Sequence, residues 1–294
     1  ISNAQDKNVV WMIDVDNINY ITVTSKRDGI FSPGYVAPEV LRGKGNTFYS
    51  DIFSFAIALF WNLTGQHPFV GPQLEEKFDE EDFLSETEET FACSCDVEWI
   101  RDEENDENYS ETPVPYELLV GEKLHNCFKK TFSRTGRHKR LTRPTMMEWG
   151  AALAYEMDHS IKCKKCEMEY DSMINKSCPW CDEKNKYVSF SCYTNNDDCT
   201  EQSYIHEVSN GIKVPIRLVK GFSVSEMNEI IFEIAVVKGE IIIENFNSCF
   251  NFERNQDGVY QKIFGKYVLD EDVQIRVIDR TTAEEYLVDY ALKG

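Results

Sequence analysis

The segment that decides the fold is Gly34–Phe69, which reads GYVAPEVLRGKGNTFYSDIFSFAIALFWNLTGQHPF. Nearly every position from Asp51 to Leu63 is apolar, so a helix formed here has no polar face. Such a helix packs at the centre of a large core, and Gly65 follows it as a residue type that commonly ends helices. The segment therefore predicts a buried central helix with a turn before it and another after it.

The composition is that of a globular chain with an acidic surface. It has 294 residues, of which 42% are hydrophobic, and a formal net charge of -20. That charge repels phosphate backbones and anionic lipid, so binding to either would require a local basic patch. The longest apolar run, Phe53 to Leu63, is about half of the roughly 20 residues that span a bilayer. The first residues also lack the layout of a signal peptide. We therefore expect a cytoplasmic protein without a membrane partner.

Most of the negative charge lies in residues 73–112. This stretch holds 17 acidic side chains against Lys77 and Arg101, a net of -15 out of -20. A segment so rich in like charges is expected to be solvated. We interpret it as an acidic insertion, with Asp102–Glu107 as an exposed loop.

The rest of the chain changes from helical to β texture. A buried strand is predicted at Asn8–Asp14, and helices are predicted at Glu117–Thr131 and from Pro144 to about Met157. From Tyr187 onward we predict strands at Ile212–Val219, Glu229–Val237, Glu240–Ile243 and Val273–Ile278, with turns at Lys238-Gly239 and Asp257-Gly258.

Between these parts lies a cysteine module in which Cys163, Cys166, Cys178 and Cys181 form the pattern CxxC-x11-CxxC. Two such pairs supply the tetrahedral four-sulfur shell that structural Zn²⁺ prefers. The alternatives are two disulfides, which do not persist in a reducing cytoplasm, or a redox CxxC, which normally occurs once and before a helix. We predict one structural zinc ion, with no open position for catalysis.

Six further cysteines have no matching pair. Cys93 with Cys95, and Cys192 with Cys199, are an alternative location for a second ion. We interpret all six as buried or unreactive thiols.

Four fragments follow the order and approximate spacing of a protein-kinase C-terminal lobe (C-lobe). A strand ending in Asp14-Val15-Asp16 stands where kinases have Asp-Phe-Gly, and Ala37-Pro38-Glu39 follows about 20 residues later. Ser50-Asp51 then opens the apolar helix, which leads to a Thr-Gly-x-x-Pro-Phe exit, and Arg143-Pro144-Thr145 precedes the last helix. Each fragment alone is weak, but together they resemble the kinase C-lobe over residues 1–158.

The resemblance implies a role for each matching residue. Glu39 should pair with Arg143, and Asp51 should hydrogen-bond the backbone of the catalytic loop. Asp14 should hold the Mg²⁺ of Mg-ATP, and Asp16 is a possible second ligand for that ion.

The expected fold class is an α+β multidomain protein. It comprises a mainly helical protein-kinase C-lobe over residues 1–158, a four-Cys zinc ribbon over 159–185 and an all-β, sandwich-like domain over 186–294. The combination of motifs resembles bacterial Ser/Thr kinases associated with tellurite-resistance and phosphatase–kinase operons.

The sequence also departs from the kinase pattern. The Gly-rich loop, the strand Lys, its Glu partner and the His-Arg-Asp loop would all precede Ile1, and Asn3 is interpreted as a loop residue rather than the metal-binding Asn. Val15 and Asp16 replace the Phe and Gly of Asp-Phe-Gly. We therefore expect Mg²⁺ and ATP only in the full-length protein, and no kinase activity and feeble ATP affinity from these 294 residues.

Three functions follow from these observations. The first is ATP-dependent phosphoryl transfer by the full-length protein, with the ribbon and β-domain recruiting a protein substrate or operon-encoded partners. The second is a pseudokinase or scaffold, which the residues before Ile1 would distinguish. The third is nucleic-acid binding through Lys162, Lys164 and Lys165 and the basic run Arg134–Arg143, which the net charge disfavours. We assign that basic run instead to Glu39 and acidic neighbours.

Overall fold

The computed structural model describes residues 2–4, 7–9, 32–76, 93, 97–194, 202–269 and 273–293. The chain is α+β, with several helices and antiparallel sheets, as predicted. Two compact units are present: the first draws on residues 1–62, 66–110 and 131–143, and the second on 63–65, 111–130 and 144–294. None of the helices in these ranges combines the length and the apolarity that crossing a bilayer requires.

The helices have the following bounds: α1 Pro38–Leu41, α2 Phe48–Thr64, α3 Pro72–Glu75, α4 Glu122–Phe132, α5 Arg134–His138, α6 Met146–His159 and α7 Arg217–Lys220. Short 3-10 turns lie at Tyr116–Leu118, Arg140–Thr142 and Val224–Glu226.

The strands have the following bounds: β1 Ser2–Ala4, β2 Lys7–Val9, β3 Ser160–Lys162, β4 Glu169–Asp171, β5 Tyr187–Thr194, β6 Gln202–Glu207, β7 Ile212–Pro215, β8 Ile230–Val237, β9 Glu240–Glu244, β10 Phe250–Gln256, β11 Val259–Lys262, β12 Tyr267–Val268, β13 Gln274–Asp279 and β14 Glu285–Lys293. β1 and β2 pair in antiparallel orientation, and Asn3 lies in β1, so it is a strand residue and not the loop residue expected from the sequence. The rest of the strand predicted at Asn8–Asp14 lies outside the described residues.

Helix α2 is the central helix that the sequence predicted. It begins at Phe48, before the predicted start, because Thr47 and Ser50 exchange hydrogen bonds that satisfy backbone N–H groups of the first turn. It ends at Thr64, and Gly65 follows with a φ of 73°, a left-handed conformation that suits glycine. The start and end of the helix are therefore set by local side-chain and backbone chemistry.

The core of the first unit is aromatic. Phe53 and Phe60 of α2 are fully buried, and each lies within 6.0 Å of the Phe132 ring, centroid to centroid. Phe69 and Trp99 also contact Phe132, at 5.3 and 5.9 Å. Edge-to-face packing of this kind adds to the hydrophobic contribution of the buried rings.

Part of the acidic stretch belongs to this core, which corrects the interpretation of residues 73–112 as uniformly solvated. Val97, Trp99 and Ile100 are buried, and the Ile100 backbone N–H donates to the Pro68 carbonyl at 2.9 Å. The net charge of the stretch did not reveal these residues, because a few apolar side chains are enough to anchor a segment in the core while the charged ones remain in solvent. The loop Asp102–Glu107 is largely exposed, as predicted.

Helix α6 begins at Met146 rather than Pro144. Thr145 is its N-cap residue: its hydroxyl accepts from the Glu148 N–H, and the Glu148 carboxylate accepts from the Thr145 N–H at 2.7 Å. This reciprocal capping box satisfies two backbone donors and fixes the first turn.

The described residues between positions 187 and 293 form two antiparallel sheets in the second unit. One has six strands in the order β11-β10-β13-β14-β5-β6, and the other has four in the order β12-β9-β8-β7. Buried side chains from both sheets form a single hydrophobic cluster that includes Phe190, Phe232 and Val288. The β texture after Tyr187 is thus confirmed.

Two details of this region are set by individual residues. The predicted turns at Lys238-Gly239 and Asp257-Gly258 are confirmed, with positive φ at all four residues. The strand predicted at Ile212–Val219 stops at Pro215, where the register shifts, and Arg217–Lys220 is helical instead. Proline has no N–H to donate to the sheet, so the ladder does not continue through it.

Candidate metal centre and a buried ion pair

The two CxxC pairs adopt the same backbone conformation. The Cys163 N–H donates to the Met168 carbonyl and the Cys178 N–H to the Glu183 carbonyl, both at 2.9 Å. Four residues after each of these cysteines, the N–H of Glu167 or Asp182 donates back to the cysteine carbonyl at 2.9 Å. These two residues also share a left-handed φ, of 61° and 58°. Two equivalent turns therefore present two thiols each to a common point.

The four sulfur atoms lie within 4.8 Å of one another. Cys163 and Cys181 are separated by 3.7 Å between Sγ atoms, and Cys166 and Cys178 by 3.5 Å. A disulfide requires about 2.05 Å, so these are not disulfide distances. Tetrahedral coordination with metal–sulfur bonds of about 2.3 Å places the sulfurs about 3.8 Å apart. The cluster therefore fits a tetrahedral metal ion.

The surroundings of the cluster favour thiolate at one position. Burial opposes ionisation of Cys163, but hydrogen bonds from the Cys166 backbone and the Asn185 side chain outweigh it and lower the pKa of the Cys163 thiol to about 6. Burial raises the pKa of Cys178. Several thiolates at this spacing repel one another unless a cation lies between them. The donor set thus matches a thiophilic divalent ion.

The module is anchored on its inner side. The first turn connects β3 to β4, which pair with Ile161 opposite Tyr170. These side chains pack with Ile205 of β6 and with Cys163 and Cys178 in a small buried cluster. The position of the cysteines is therefore tied to the β-sheet as well as to the local turns.

The second candidate feature is a buried ion pair between residues 104 positions apart. The two terminal nitrogens of Arg143 donate to the two carboxylate oxygens of Glu39 at 2.7 and 2.8 Å. Arg143 also donates to the carbonyls of Gly136 and Tyr49, and its guanidinium lies 4.8 Å from the centre of the Phe53 ring. The arginine is 3% exposed and the glutamate 5%, so the pair is shielded from solvent.

The turn that carries Glu39 is fixed by its proline and by hydrogen bonds to the residues that precede it. Pro38 is at the start of α1, where its missing N–H costs nothing. Upstream, the Ser54 hydroxyl donates to the Tyr35 carbonyl at 2.7 Å, and the His67 ring donates to the Gly34 carbonyl at 2.7 Å. Burial lowers the pKa of His67 to about 4, so this ring is neutral at physiological pH. The backbone just before Glu39 is therefore fixed by Ser54 of α2 and by His67, which follows that helix.

The kinase resemblance also assigns Asp51, Asp14 and Asp16 to the site. Asp51 is in the first turn of α2 with an exposed side chain. Asp14 and Asp16 lie outside the described residues.

Sequence reasoning did not single out a second buried arginine. Arg137 is 1% exposed, and its guanidinium donates to Glu98 at 2.7 Å and to the Val97 carbonyl. It also lies 5.3 Å from the centre of the Phe69 ring. The sequence contained a clue in the basic run Arg134–Arg143. Two of its arginines, Arg137 and Arg143, form buried ion pairs instead of facing solvent.

Two curated proteins resemble the chain over short stretches. A Plasmodium falciparum (isolate K1 / Thailand) protein described as probable serine/threonine-protein kinase 2 is 35% identical over 78 residues, which is 26% of this chain and 15% of that protein. Human protein kinase C delta type is 44% identical over 48 residues, 16% of this chain and 7% of that protein. No protein-family model matches the chain. The chain thus has a kinase-like relationship to two proteins of which it matches only a small part.

Proposed function

We propose that residues 1–158 form a mainly helical protein-kinase C-lobe, followed by a zinc ribbon over residues 159–185 and a sandwich-like β-domain over 186–294. The Glu39–Arg143 pair is the observation that carries the kinase assignment. Nothing local brings these two residues together, and the resemblance to kinases anticipates their contact from sequence order alone. The short matches to two kinases support the same assignment.

The ribbon is proposed to bind one structural Zn²⁺ through Cys163, Cys166, Cys178 and Cys181. The support is the fit of the sulfur spacing to a tetrahedral ion and the equivalence of the two turns. Zinc would hold the four thiolates together and leave no free coordination position, so its contribution is to folding.

The activity belongs to the full-length protein in this proposal. It is an ATP-dependent Ser/Thr protein kinase in which Asp14 holds Mg²⁺ against the ATP phosphates, and Asp16 is either a second ligand of that ion or a solvated carboxylate. Its proposed setting is the cytoplasm of a bacterium, with the ribbon and β-domain recruiting a protein substrate or an operon-encoded partner. The named relatives are not bacterial, so the bacterial setting depends on the motif resemblance alone.

Phosphoryl transfer tests this function. We would compare the full-length polypeptide, its Asp14→Asn variant and the 294-residue chain for transfer of labelled phosphate from Mg-ATP to casein. We expect transfer by the full-length protein only, and loss in the variant because Mg²⁺ loses a charged ligand. A folded full-length protein that transfers no phosphate would contradict the kinase proposal, as would unchanged transfer by Asp14→Asn.

A scaffold function without catalysis is the alternative. The ribbon exposes several large apolar side chains, which proteins use to bind partners: Met168, Met173, Ile174 and Trp180. A full-length protein that is inactive in the assay above but forms stable complexes would favour this alternative.

A further inference from the structure

A serine and a histidine in the second unit meet beside a cavity, away from the cysteine cluster. Ser203 is in β6 and His159 is the last residue of α6. The Oγ atom of Ser203 lies 2.6 Å from Nε2 of His159, and Nδ1 of the same ring lies 2.6 Å from the Tyr155 carbonyl oxygen. The imidazole thus has a polar partner at each of its two nitrogens.

These contacts define where the protons are. A carbonyl oxygen only accepts, so Nδ1 must carry the hydrogen that is donated to Tyr155. Nε2 of the neutral ring then has a lone pair and accepts the hydroxyl hydrogen of Ser203. His159 is fully buried, and burial lowers its pKa, which keeps the ring neutral. This is the arrangement in which a base can remove the proton of a serine and an orienting group holds the base.

Ser203 also lines a half-open cavity of about 270 Å³. The lining of the cavity includes the apolar side chains of Leu218 and Phe222 and the cationic side chains of Arg217 and Lys123. Arg217 donates from Nε and Nη2 to Asp158, so its Nη1 remains available to a ligand. The volume is below the 300–1,000 Å³ or so of sites for drug-sized ligands, so a substrate must be small.

We propose that Ser203 is a nucleophile and His159 its general base, and that the cavity hydrolyses small carboxylic esters. Ser203 Oγ bonds to the ester carbonyl carbon while its proton passes to Nε2 of His159. The bond from that carbon to the alcohol oxygen then breaks, and the alcohol leaves with the proton from Nε2. A water molecule attacks the acyl-serine, His159 takes its proton and returns it to Ser203, and the carboxylic acid is released. Positive charge on Arg217 and Lys123 favours the oxyanion that forms in each half of the reaction.

A fluorophosphonate probe tests the nucleophile directly in the 294-residue chain. Labelling forms an Oγ–P bond and expels fluoride, while His159 takes the proton. We expect peptide mass spectrometry to find the adduct on Ser203, and Ser203→Ala to abolish both the adduct and the hydrolysis of p-nitrophenyl acetate. Ser225→Ala is the matched control: Ser225 is exposed and, among the described residues, its hydroxyl contacts only the Ser223 hydroxyl, so labelling should not change. No adduct on Ser203, or equal labelling of Ser203 and Ser225, would overturn the proposal.

The role of His159 has its own readouts. His159→Gln should slow labelling by about 10²-fold or more, as expected for the loss of a general base. Should this variant not fold, the pH profile of the unaltered chain decides. Asp158, Asp171 and Lys123 are the charged groups acting on this ring, and the lowered pKa predicts a rate that falls only below about pH 6.5. A folded variant that labels at the full rate, or a rate that rises throughout from pH 5 to 9, would show that the hydrogen bond only fastens α6 to β6.

Discussion

At the scale of single residues, the Glu39–Arg143 pair has the clearest energetic consequence. Both charges are removed from water, and each is compensated mainly by the other. Arg143→Ala should therefore cost about 3–5 kcal/mol in the free energy of unfolding, because it leaves the Glu39 carboxylate buried and uncompensated. Urea denaturation followed by circular dichroism measures this cost.

Arg134→Ala is the matched control for that substitution. Arg134 also forms an ion pair, at 3.4 Å from Glu98, but its side chain is 73% exposed. Such a pair contributes about 0–1 kcal/mol. If Arg143→Ala and Arg134→Ala had the same small effect, the buried pair would not fasten the turn at Glu39 to the rest of the unit.

Two glutamates of α6 have pKa values shifted in opposite directions, so they should change the stability of the protein with pH in opposite ways. Burial, assisted by repulsion from Asp171, raises the pKa of Glu156 to about 7. The folded protein then holds a proton that the unfolded chain releases, so stability should fall as pH rises from about 4.5 to about 7. Glu156→Gln should remove this fall. Urea midpoints of the two proteins across that pH range test the difference.

Glu148 supplies the control with the opposite sign. A hydrogen bond from the Thr145 backbone lowers its pKa, so its contribution is present above its ordinary pKa and is lost as pH falls through the lowered value. The difference between the original chain and Glu148→Gln should therefore shrink toward acid pH. If Glu156→Gln left the stability profile between pH 4.5 and 7 unchanged, the buried carboxyl would not be the group that holds the proton.

At the scale of elements, the sequence was most informative where local chemistry decides the structure. The CxxC spacing placed four sulfurs together, and the Lys238-Gly239 and Asp257-Gly258 pairs located two turns, because each signal requires only a few neighbouring residues. The strand predicted through Val219 was wrong beyond Pro215. The prediction followed the apolar pattern and did not take into account that Pro215 has no backbone N–H to donate to the sheet. Burial of Trp99 also could not be predicted, because it depends on contacts with residues distant in sequence.

The cysteine element yields a prediction about metal content. Purified protein should contain one zinc per chain by elemental analysis, and Cys178→Ser should lose it. Metal binding contributes on the order of 10 kcal/mol to modules of this kind, so the variant should also lose the ordered ribbon. Amide hydrogen exchange over residues 159–185 reports that loss.

Cys249→Ser distinguishes the cluster from cysteines in general. Cys249 is exposed and lies outside the cluster, so this variant should retain one zinc and the exchange protection of the ribbon. A chain that holds no zinc, or that forms disulfides among the four cysteines, would contradict the metal assignment.

At the scale of the whole molecule, the distribution of charge decides which polymers it can bind. The net charge is -20, and several positive side chains of the ribbon and of the run Arg134–Arg143 are paired with carboxylates. Arg137 and Arg143 are buried and bonded to carboxylates. In the ribbon, Lys162 lies 3.5 Å from Glu167 and Lys164 lies 3.1 Å from Glu183.

We therefore predict that the chain does not bind nucleic acid at physiological salt. Most of the affinity of proteins for nucleic acid comes from counterions that are released when basic side chains neutralise phosphates. We expect this source of affinity to be missing here. Fluorescence anisotropy with labelled single-stranded DNA, duplex DNA and RNA should show no binding at micromolar protein in 150 mM salt. The double variant Glu167→Lys and Glu183→Lys is the positive control, since it frees two lysines and adds two more on the same surface. It should bind, and its affinity should fall steeply as salt is raised. If the unaltered chain bound as tightly as this variant, with the same salt dependence, the ribbon would be a nucleic-acid-binding surface despite the charge of the whole molecule.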